Sequence, residues 1–292
     1  MTLDQPNRLQ NLVTRAGTIS FPAYIPVTTF GDRYPLDDLI RPYLPRLATA
    51  IMISLHYAQQ MKPEERPWLP LMVDSGGFAA FFENSQVLER DGLGVLQVTT
   101  ADGIEILDPE TVLRFQESIA DVAFTLDFPA PATASPEEVE RRANLTVENA
   151  IWALNNRHRA DLPLYAVLPV CEVLKYQRCA FAYRELGFDG VAIGGMVPYA
   201  KDHKRVIETV AMVRSILGDK IPIHVLGMGN PKLVPQLFAA GADSVDSSSY
   251  VQTAASGTLW RNPSFKLESP SSTDRMNWAI DNLKFAIEQC HV

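Results

Sequence analysis

Residues 72–78 read M-V-D-S-G-G-F, and this stretch gives the first indication of the fold class. A short apolar run ends at Val73, Asp74 follows it directly, and two glycines lead to the aromatic ring of Phe78. Buried strands that finish on a carboxylate are typical of β/α barrels, whose sites are built at the carboxyl ends of the strands. The stretch therefore predicts that Asp74 stands on a functional rim.

Similar apolar runs recur along the chain and alternate with helical patterns. Apolar residues on both faces are what parallel strands covered by helices require. With no compositional linker between them, the runs predict one (β/α)8 barrel domain over residues 1–292, and a doubly wound open sheet is the alternative. The candidate strands are Ile25–Thr28, Ala50–Ser54, Leu71–Val73, Val122–Leu126, Leu164–Leu168, Gly190–Ile193, Ile223–Leu226 and Asp243–Val245.

Several segments carry the start and stop signals of helices. Ser135-Pro136, Asp108-Pro109 and Asn230-Pro231 each place a capping side chain before a proline at the first helical position. The valines of Asp202–Leu217 fall on one helical face, and Gly218 follows where a glycine ends many helices. These patterns predict helices that begin or end at those residues.

Two segments depart from the strand and helix rhythm. The region 87–107 contains two β-rich runs around Asp102-Gly103, a turn signal, and predicts a β-hairpin inserted after the third strand. The region 261–292 begins with a tail rich in Pro and Ser, and its periodic apolar residues predict a last helix at about Asp274–Gln289. Both segments lie outside the barrel repeat.

Composition excludes several classes of protein. The net charge of −8 disfavours a non-specific polyanion binder. No apolar stretch is long enough to span a membrane, and the first residues lack the form of a signal peptide, so we expect a cytoplasmic protein. The 3 cysteines and 5 histidines show no paired metal-ligand spacing, so we expect neither a metal site nor a disulfide framework.

Three aspartates follow candidate strands and are expected on the same rim: Asp74, Asp127 and Asp246. Two carboxylates facing one cavity can act at a glycosidic carbon as nucleophile and as general acid/base. A third can accept hydrogen bonds from the N–H edge of a guanine-like base. Turn formation is the other interpretation of each aspartate. An unrelated phosphate-binding barrel, gripping its ligand with residues 227–231, is the alternative for the whole chain.

Four motifs in order resemble the tRNA-guanine transglycosylase (queuine tRNA-ribosyltransferase) family, and the resemblance covers roughly residues 19–257. They are D-S-G-G-F at Asp74–Phe78, G-F-D-G-V-A-I-G-G-M at Gly187–Met196, H-V-L-G-M-G-N-P at His224–Pro231 and G-A-D-S-V-D at Gly241–Asp246. The resemblance implies a (β/α)8 barrel that exchanges guanine in a nucleic acid for a 7-deazaguanine base without a cofactor. Family members are often dimers, so a homodimer is one expected assembly.

The resemblance also implies roles for particular residues. By position, Asp246 matches the family's nucleophile and Asp74 its general acid/base. Asp127 matches the residue that binds the base edge, and Phe78 matches the aromatic that stacks on the base, with Leu226 opposite. Other residues that match the lining of this base pocket are Ser75, Gly194 and Gly195.

Three departures from the family pattern bear on the substrate. Residues 167–170 read V-L-P-V where the family has V-Q-G-G, so a glutamine that contacts the base is missing. Only Cys290 and His291 remain of the C-terminal zinc element, and no structural zinc is expected. Residues 247–257, S-S-S-Y-V-Q-T-A-A-S-G, replace the family's basic tRNA-gripping segment.

These departures resemble the branch of the family that modifies DNA, which we favour over tRNA as the polymer. Two other hypotheses remain open. Exchange or hydrolysis at a free nucleoside fits the acidic charge. A non-catalytic partner subunit is the third, and the retention of all three carboxylates counts against it.

Overall fold

The computed structural model describes residues 8–29, 34–101, 103–169 and 171–291. Eight parallel strands close a barrel in which each strand pairs with the next along the chain and the last pairs with the first. This confirms the predicted (β/α)8 barrel and excludes the open sheet. In chain order the barrel strands are Ala23–Thr28, Ile51–Ile53, Leu71–Val73, Val122–Phe124, Leu164–Leu168, Gly190–Ile193, Ile223–Val225 and Ser244–Ser247.

The barrel strands separate two apolar cores. Because side chains alternate across a strand, every second residue points into the barrel. That interior is filled by Ile19, Ala23, Ile25, Ala50, Met52, Met72, Val122, Phe124, Tyr165, Val167 and Ala192. The residues between them point outward and pack against the surrounding helices in the larger core. The alternation also directs Asp74 and Asp246 inward, at the carboxyl ends of their strands.

The helices confirm most of the predicted boundaries. Ser135, Asp108 and Asp202 each accept a backbone N–H as the cap of the following helix. The cap expected at Asn230 is wrong: this side chain accepts the N–H of Lys232, and the helix begins only at Val234. The α-helices in the described ranges are Pro35–Ile40, Leu55–Ala58, Pro109–Ile119, Pro136–Asn156, Val173–Leu186, His203–Leu217, Val234–Ala240, Ser249–Ala255 and Ser272–Glu288.

The insertion after the third barrel strand has one strand more than a hairpin. It is an antiparallel sheet of three strands, Ser85–Arg90, Leu93–Thr100 and Gly103–Leu107. The hairpin predicted around Asp102-Gly103 corresponds to its second half, and Asp102 itself lies outside the described residues. The additional turn at Asp91-Gly92 has both residues at positive φ, which Gly and Asp tolerate best.

A second hairpin, absent from the predicted elements, pairs Asn11–Thr14 with Gly17–Ser20. It precedes the first barrel strand, and Ile19 is only 1% exposed because its side chain joins the barrel interior. This hairpin therefore covers the amino-terminal end of the barrel, opposite the rim that carries Asp74. Among the described residues, no helix is both long enough and apolar enough to cross a membrane.

Buried ion pairs stabilise the amino-terminal ends of two barrel strands. Asp243 precedes the eighth strand, is 1% exposed, and accepts hydrogen bonds from Arg8 at 2.7 Å, from Ile223 N–H at 2.6 Å and from Arg214. Asp121 has the same place before the fourth strand and binds Arg66 at 2.6 Å. Because these carboxylates are paired with arginines and accept backbone N–H groups, they fix the strand ends and are not available for catalysis.

Candidate active site

Asp74 follows the third barrel strand directly. Its Oδ1 accepts the backbone N–H of Gly76 at 2.8 Å and that of Leu55 at 3.1 Å, which fixes the side chain on the rim. Burial raises the pKa of Asp74 to about 6, the two amides oppose that shift, and the charge of Asp246 adds to it. A carboxyl group with a pKa this close to neutral can both release and take up a proton.

Asp127 lies beyond the fourth strand, which ends at Phe124 and not at the expected Leu126. The side chain is 9% exposed, and its Oδ1 accepts the Ser75 hydroxyl at 3.0 Å. Burial raises the pKa of Asp127 to about 7, and the neighbouring Asp74 carboxylate contributes to the rise. Asp74 therefore lies between the other two carboxylates in its electrostatic effects: the charge of Asp246 raises the pKa of Asp74, and the charge of Asp74 raises the pKa of Asp127.

Two glycines pack so closely against Asp127 that a larger side chain would not fit at either position. A Cβ at Gly77 would collide with the main-chain oxygen of Asp127 and lie 2.6 Å from its Oδ1. A Cβ at Gly194 would lie 3.2 Å from Asp127 Oδ2 and 2.8 Å from Val167 Cγ1. Asp127 therefore packs directly against the backbone at both glycines, and neither position has room for a side chain.

Asp246 lies in the eighth barrel strand, opposite Ile25 of the first, and is 6% exposed. Both of its hydrogen bonds in the described structure fall on Oδ1, from Gly227 N–H at 2.8 Å and from His224 Nε2 at 3.0 Å. This arrangement fixes the orientation of the carboxylate, and within the described residues Oδ2 accepts no hydrogen bond.

The apolar residues expected around the base differ in exposure. Phe78 is 50% exposed and makes edge contacts with Phe81 and Phe82, at centroid distances of 5.2 Å and 5.8 Å. Leu226 follows the seventh strand and packs against the barrel interior. Gly195 follows Gly194 with φ at +67°, a conformation that glycine adopts without strain.

His224 is the site residue that the sequence interpretation missed. Its ring is 0% exposed inside the barrel and bridges Asp246 Oδ1 to the hydroxyl of Ser244, which lies 2.7 Å from Nδ1. The signal was present in the sequence, because strand alternation directs residues 224 and 226 to the same side as residues 244 and 246. The pairing of His224 with Ser244 then brings the imidazole to Asp246.

Two further segments were expected to bear on ligand binding. Gly227, the first residue of the proposed phosphate loop, uses its N–H on Asp246, so this amide is occupied within the protein. The segment after the fifth strand is described up to Pro169, and Val170 lies outside the described residues. Cys290 packs in a turn after the last helix, and the described part of the chain contains no group of three or more His, Cys, Asp and Glu that could hold a metal.

The chain is similar to proteins of one family over almost its whole length. A model described as queuine tRNA-ribosyltransferase matches residues 4–286. A tRNA-guanine(15) transglycosylase of Korarchaeum cryptofilum is 27% identical over 260 residues, which are 87% of this chain and 42% of the archaeal protein. A queuine tRNA-ribosyltransferase of Helicobacter pylori, strain G27, is 25% identical over 281 residues, which are 86% of this chain and 74% of that protein. The protein of the same name in Helicobacter acinonychis is 26% identical over 281 residues, with the same two shares.

Proposed function

The chain belongs to the queuine tRNA-ribosyltransferase family, a family of pentosyltransferases, and on that premise we propose that it replaces guanine in a nucleic acid with a 7-deazaguanine base. The exchange proceeds through a covalent glycosyl intermediate on Asp246. The observation that carries the proposal is that Asp74, Asp127 and Asp246 face one region of the rim, where burial raises the pKa values of the first two to about 6 and about 7.

In the first step Asp246 is the nucleophile. Oδ2 forms a bond to C1′ of the target nucleotide while the bond from C1′ to N9 of guanine breaks. The electron pair of that bond stays on guanine, and N9 takes a proton from Asp74. Two hydrogen bonds on Oδ1 support this role, because they hold the carboxylate without occupying the attacking oxygen.

In the second step the incoming base takes the place of guanine. Asp74, now ionised, accepts the proton from N9 of this base, and N9 attacks C1′ as the bond to Asp246 breaks. Two displacements at one carbon retain its configuration. The pKa of about 6 supports the assignment of Asp74, because the group serves as acid in one step and as base in the other.

Asp127 binds the edge of the base that carries N–H groups. Its carboxylate accepts hydrogen bonds from N1–H and the exocyclic amine, which guanine and 7-deazaguanine bases share. The packing of Asp127 against the backbone of Gly77 and Gly194 supports this role, because it fixes the position of the carboxylate. Phe78 stacks on one face of the base and Leu226 contacts the other.

The polymer that we propose is DNA. Residues 247–257 follow the nucleophile directly and contain no lysine or arginine, although this is where the family carries a basic tRNA-gripping segment. They form the short helix Ser249–Ala255. Beside this helix a cavity of about 650 Å³ is lined partly by Tyr34, Tyr57 and Ser248. The cavity adjoins the strand that carries Asp246, so it can receive polymer next to the target nucleotide, which favours a polymer over a free nucleoside.

A base-exchange assay tests the proposal. Radiolabelled guanine is offered with duplex DNA, single-stranded DNA, bulk tRNA and free guanosine or deoxyguanosine, using the wild type and Asp246→Asn. Asp202→Asn is the matched control, because Asp202 caps a helix and asparagine caps equally well. We expect incorporation into DNA by the wild type and the control only.

Other results of the assay decide between the alternatives. Asp246-dependent incorporation into tRNA alone would identify tRNA rather than DNA as the polymer and would leave the proposed exchange reaction unchanged. Exchange at nucleosides alone would identify a nucleoside-level enzyme. Incorporation into none of them, by guanine or by 7-deazaguanine bases, would favour a non-catalytic subunit and overturn the proposal.

A further inference from the structure

His224 is a buried imidazole with a defined partner on each ring nitrogen. Nε2 lies 3.0 Å from Asp246 Oδ1, and Nδ1 lies 2.7 Å from the Ser244 hydroxyl. The side chain is 0% exposed, and the ring of Phe124 lies 5.4 Å away, between centroids. The imidazole therefore cannot touch the substrate, and any effect that it has on the reaction passes through Asp246.

The hydrogen bonds select one tautomer of this imidazole. An ionised carboxylate only accepts hydrogen bonds, so Nε2 must carry the proton that it donates to Asp246. In that tautomer Nδ1 is an acceptor, which the hydroxyl of Ser244 satisfies by donating to it. The result is a directed chain from Ser244 through His224 to Asp246 in which each polar atom has a partner.

Resting on the proposed function, we infer that His224 is a positioning residue that makes Oδ2 the attacking oxygen of Asp246. Nε2–H and the N–H of Gly227 both donate to Oδ1, which fixes the plane of the carboxylate. After attack, Oδ1 is the carbonyl oxygen of the glycosyl ester, and it keeps both donors. When the second base displaces Asp246, negative charge returns to a carboxylate that these donors already stabilise.

Kinetics of matched variants separate positioning from packing. His224→Phe fills the space without a donor, and the loss of one hydrogen bond to a charged group corresponds to a decrease in kcat of about 10- to 100-fold. His224→Gln retains an N–H that reaches Oδ1, and we expect it to recover most of kcat. The KM for guanine is expected to stay unchanged in both, because Asp127 binds the base.

Ser244→Ala is the third variant, because it removes only the hydroxyl that satisfies Nδ1. We expect a smaller decrease in kcat than for His224→Phe, since the donor to Asp246 is still present. Thermal unfolding of all three variants shows whether they fold. Equal kcat values for His224→Phe and the wild type, or no recovery in folded His224→Gln, would overturn the inference.

A spectroscopic measurement tests the same inference without any substrate. The protein is labelled with ¹⁵N-histidine, and the His224 signals are identified by their loss in His224→Gln. We expect a protonated Nε2 and an unprotonated Nδ1. A ring protonated at Nδ1 alone would overturn the inference even if the exchange reaction is confirmed, and the expected tautomer would stand even if the exchange reaction fails.

Discussion

Ser75 donates its hydroxyl to Oδ1 of Asp127 at 3.0 Å, and this bond connects the loop after the third barrel strand to the residue that follows the fourth. Ser75 comes directly after Asp74, so one loop carries the proposed acid/base group and a hydrogen-bond donor to the proposed base-binding group. The bond lowers the pKa of Asp127 and opposes the larger effect of burial. Ser75 thereby controls how much of Asp127 is ionised near neutral pH.

Ser75→Ala is expected to raise the pKa of Asp127 above about 7. Because the ionised carboxylate accepts the N–H groups of guanine, binding strengthens as the pH rises through that pKa. Calorimetric titration of guanine at several pH values should show the midpoint shifted upward and weaker binding at pH 7. Ser118→Ala, on an exposed helical position, is the control and should match the wild type. An unshifted midpoint in Ser75→Ala would contradict this role of the hydroxyl.

Asp127→Asn is expected to stabilise the protein at alkaline pH. The folded-state pKa of about 7 exceeds the ordinary value of 3.8, so ionisation disfavours the folded state progressively as the pH rises from about 4 to about 7. Asparagine removes that cost, which is on the order of 2–4 kcal/mol for a shift of this size. Denaturant unfolding should show a higher free energy of unfolding for Asp127→Asn than for the wild type at pH 8, and no difference at pH 4. A gain that is the same at both pH values would be inconsistent with a raised pKa.

Gly194→Ala is expected to weaken guanine binding by about 10-fold or more, since each 1.4 kcal/mol of lost binding energy is tenfold. The new methyl group would lie 3.2 Å from Asp127 Oδ2 and 2.8 Å from Val167 Cγ1. The double variant Gly194→Ala with Val167→Ala relieves the second contact and keeps the first. It should therefore regain part of the stability without regaining guanine affinity. Recovery of affinity in the double variant would mean that the methyl group acts through packing alone.

Tyr57→Ala is expected to raise the KM for DNA by about 5-fold or more, because loss of a stacking ring costs roughly 1–3 kcal/mol. The ring contacts Tyr34 at a centroid distance of 6.1 Å and lines the cavity beside the eighth strand. The KM for guanine should not change, since that base binds at Asp127. Tyr43→Ala removes a tyrosine that is 41% exposed and lies outside the lining of the cavity, and it serves as the control. Equal effects of the two variants would exclude the cavity as a polymer site.

The barrel could be predicted from the sequence because most barrel strands are short apolar runs, although the eighth, Ser244–Ser247, has Val245 as its one apolar residue. The ends of the runs were harder to predict, because apolar residues continue past the last ladder bond. The fourth strand stops at Phe124 since the Thr125 hydroxyl caps the N–H of Val167, and Leu126 turns outward into the helix core. The hairpin of residues 11–20 was missed because neither strand has a long apolar run, although Ile19 and the partly buried Leu12 anchor it to the barrel interior.

The candidate site was predicted mainly from its position on the rim and from its resemblance to a family. Those two arguments identify residues at the ends of strands, such as Asp74. They do not identify residues inside the barrel that contact the rim residues. His224 lies in the middle of a strand, where polar residues are rarely expected, and only the register with Ser244 shows what it contacts. The values of the raised pKa likewise depend on burial by distant segments, which the sequence does not specify.

The proposed mechanism requires that Asp246 becomes covalently attached to the sugar of the target nucleotide. Guanine-containing DNA and tRNA oligonucleotides are each incubated with the protein, the reaction is stopped by denaturation, and the mass of the intact protein is measured. We expect an adduct whose mass equals that of the oligonucleotide minus guanine, attached at Asp246 and absent from Asp246→Asn. Base exchange by the wild type without any adduct, or an adduct of equal amount in Asp246→Asn, would contradict it.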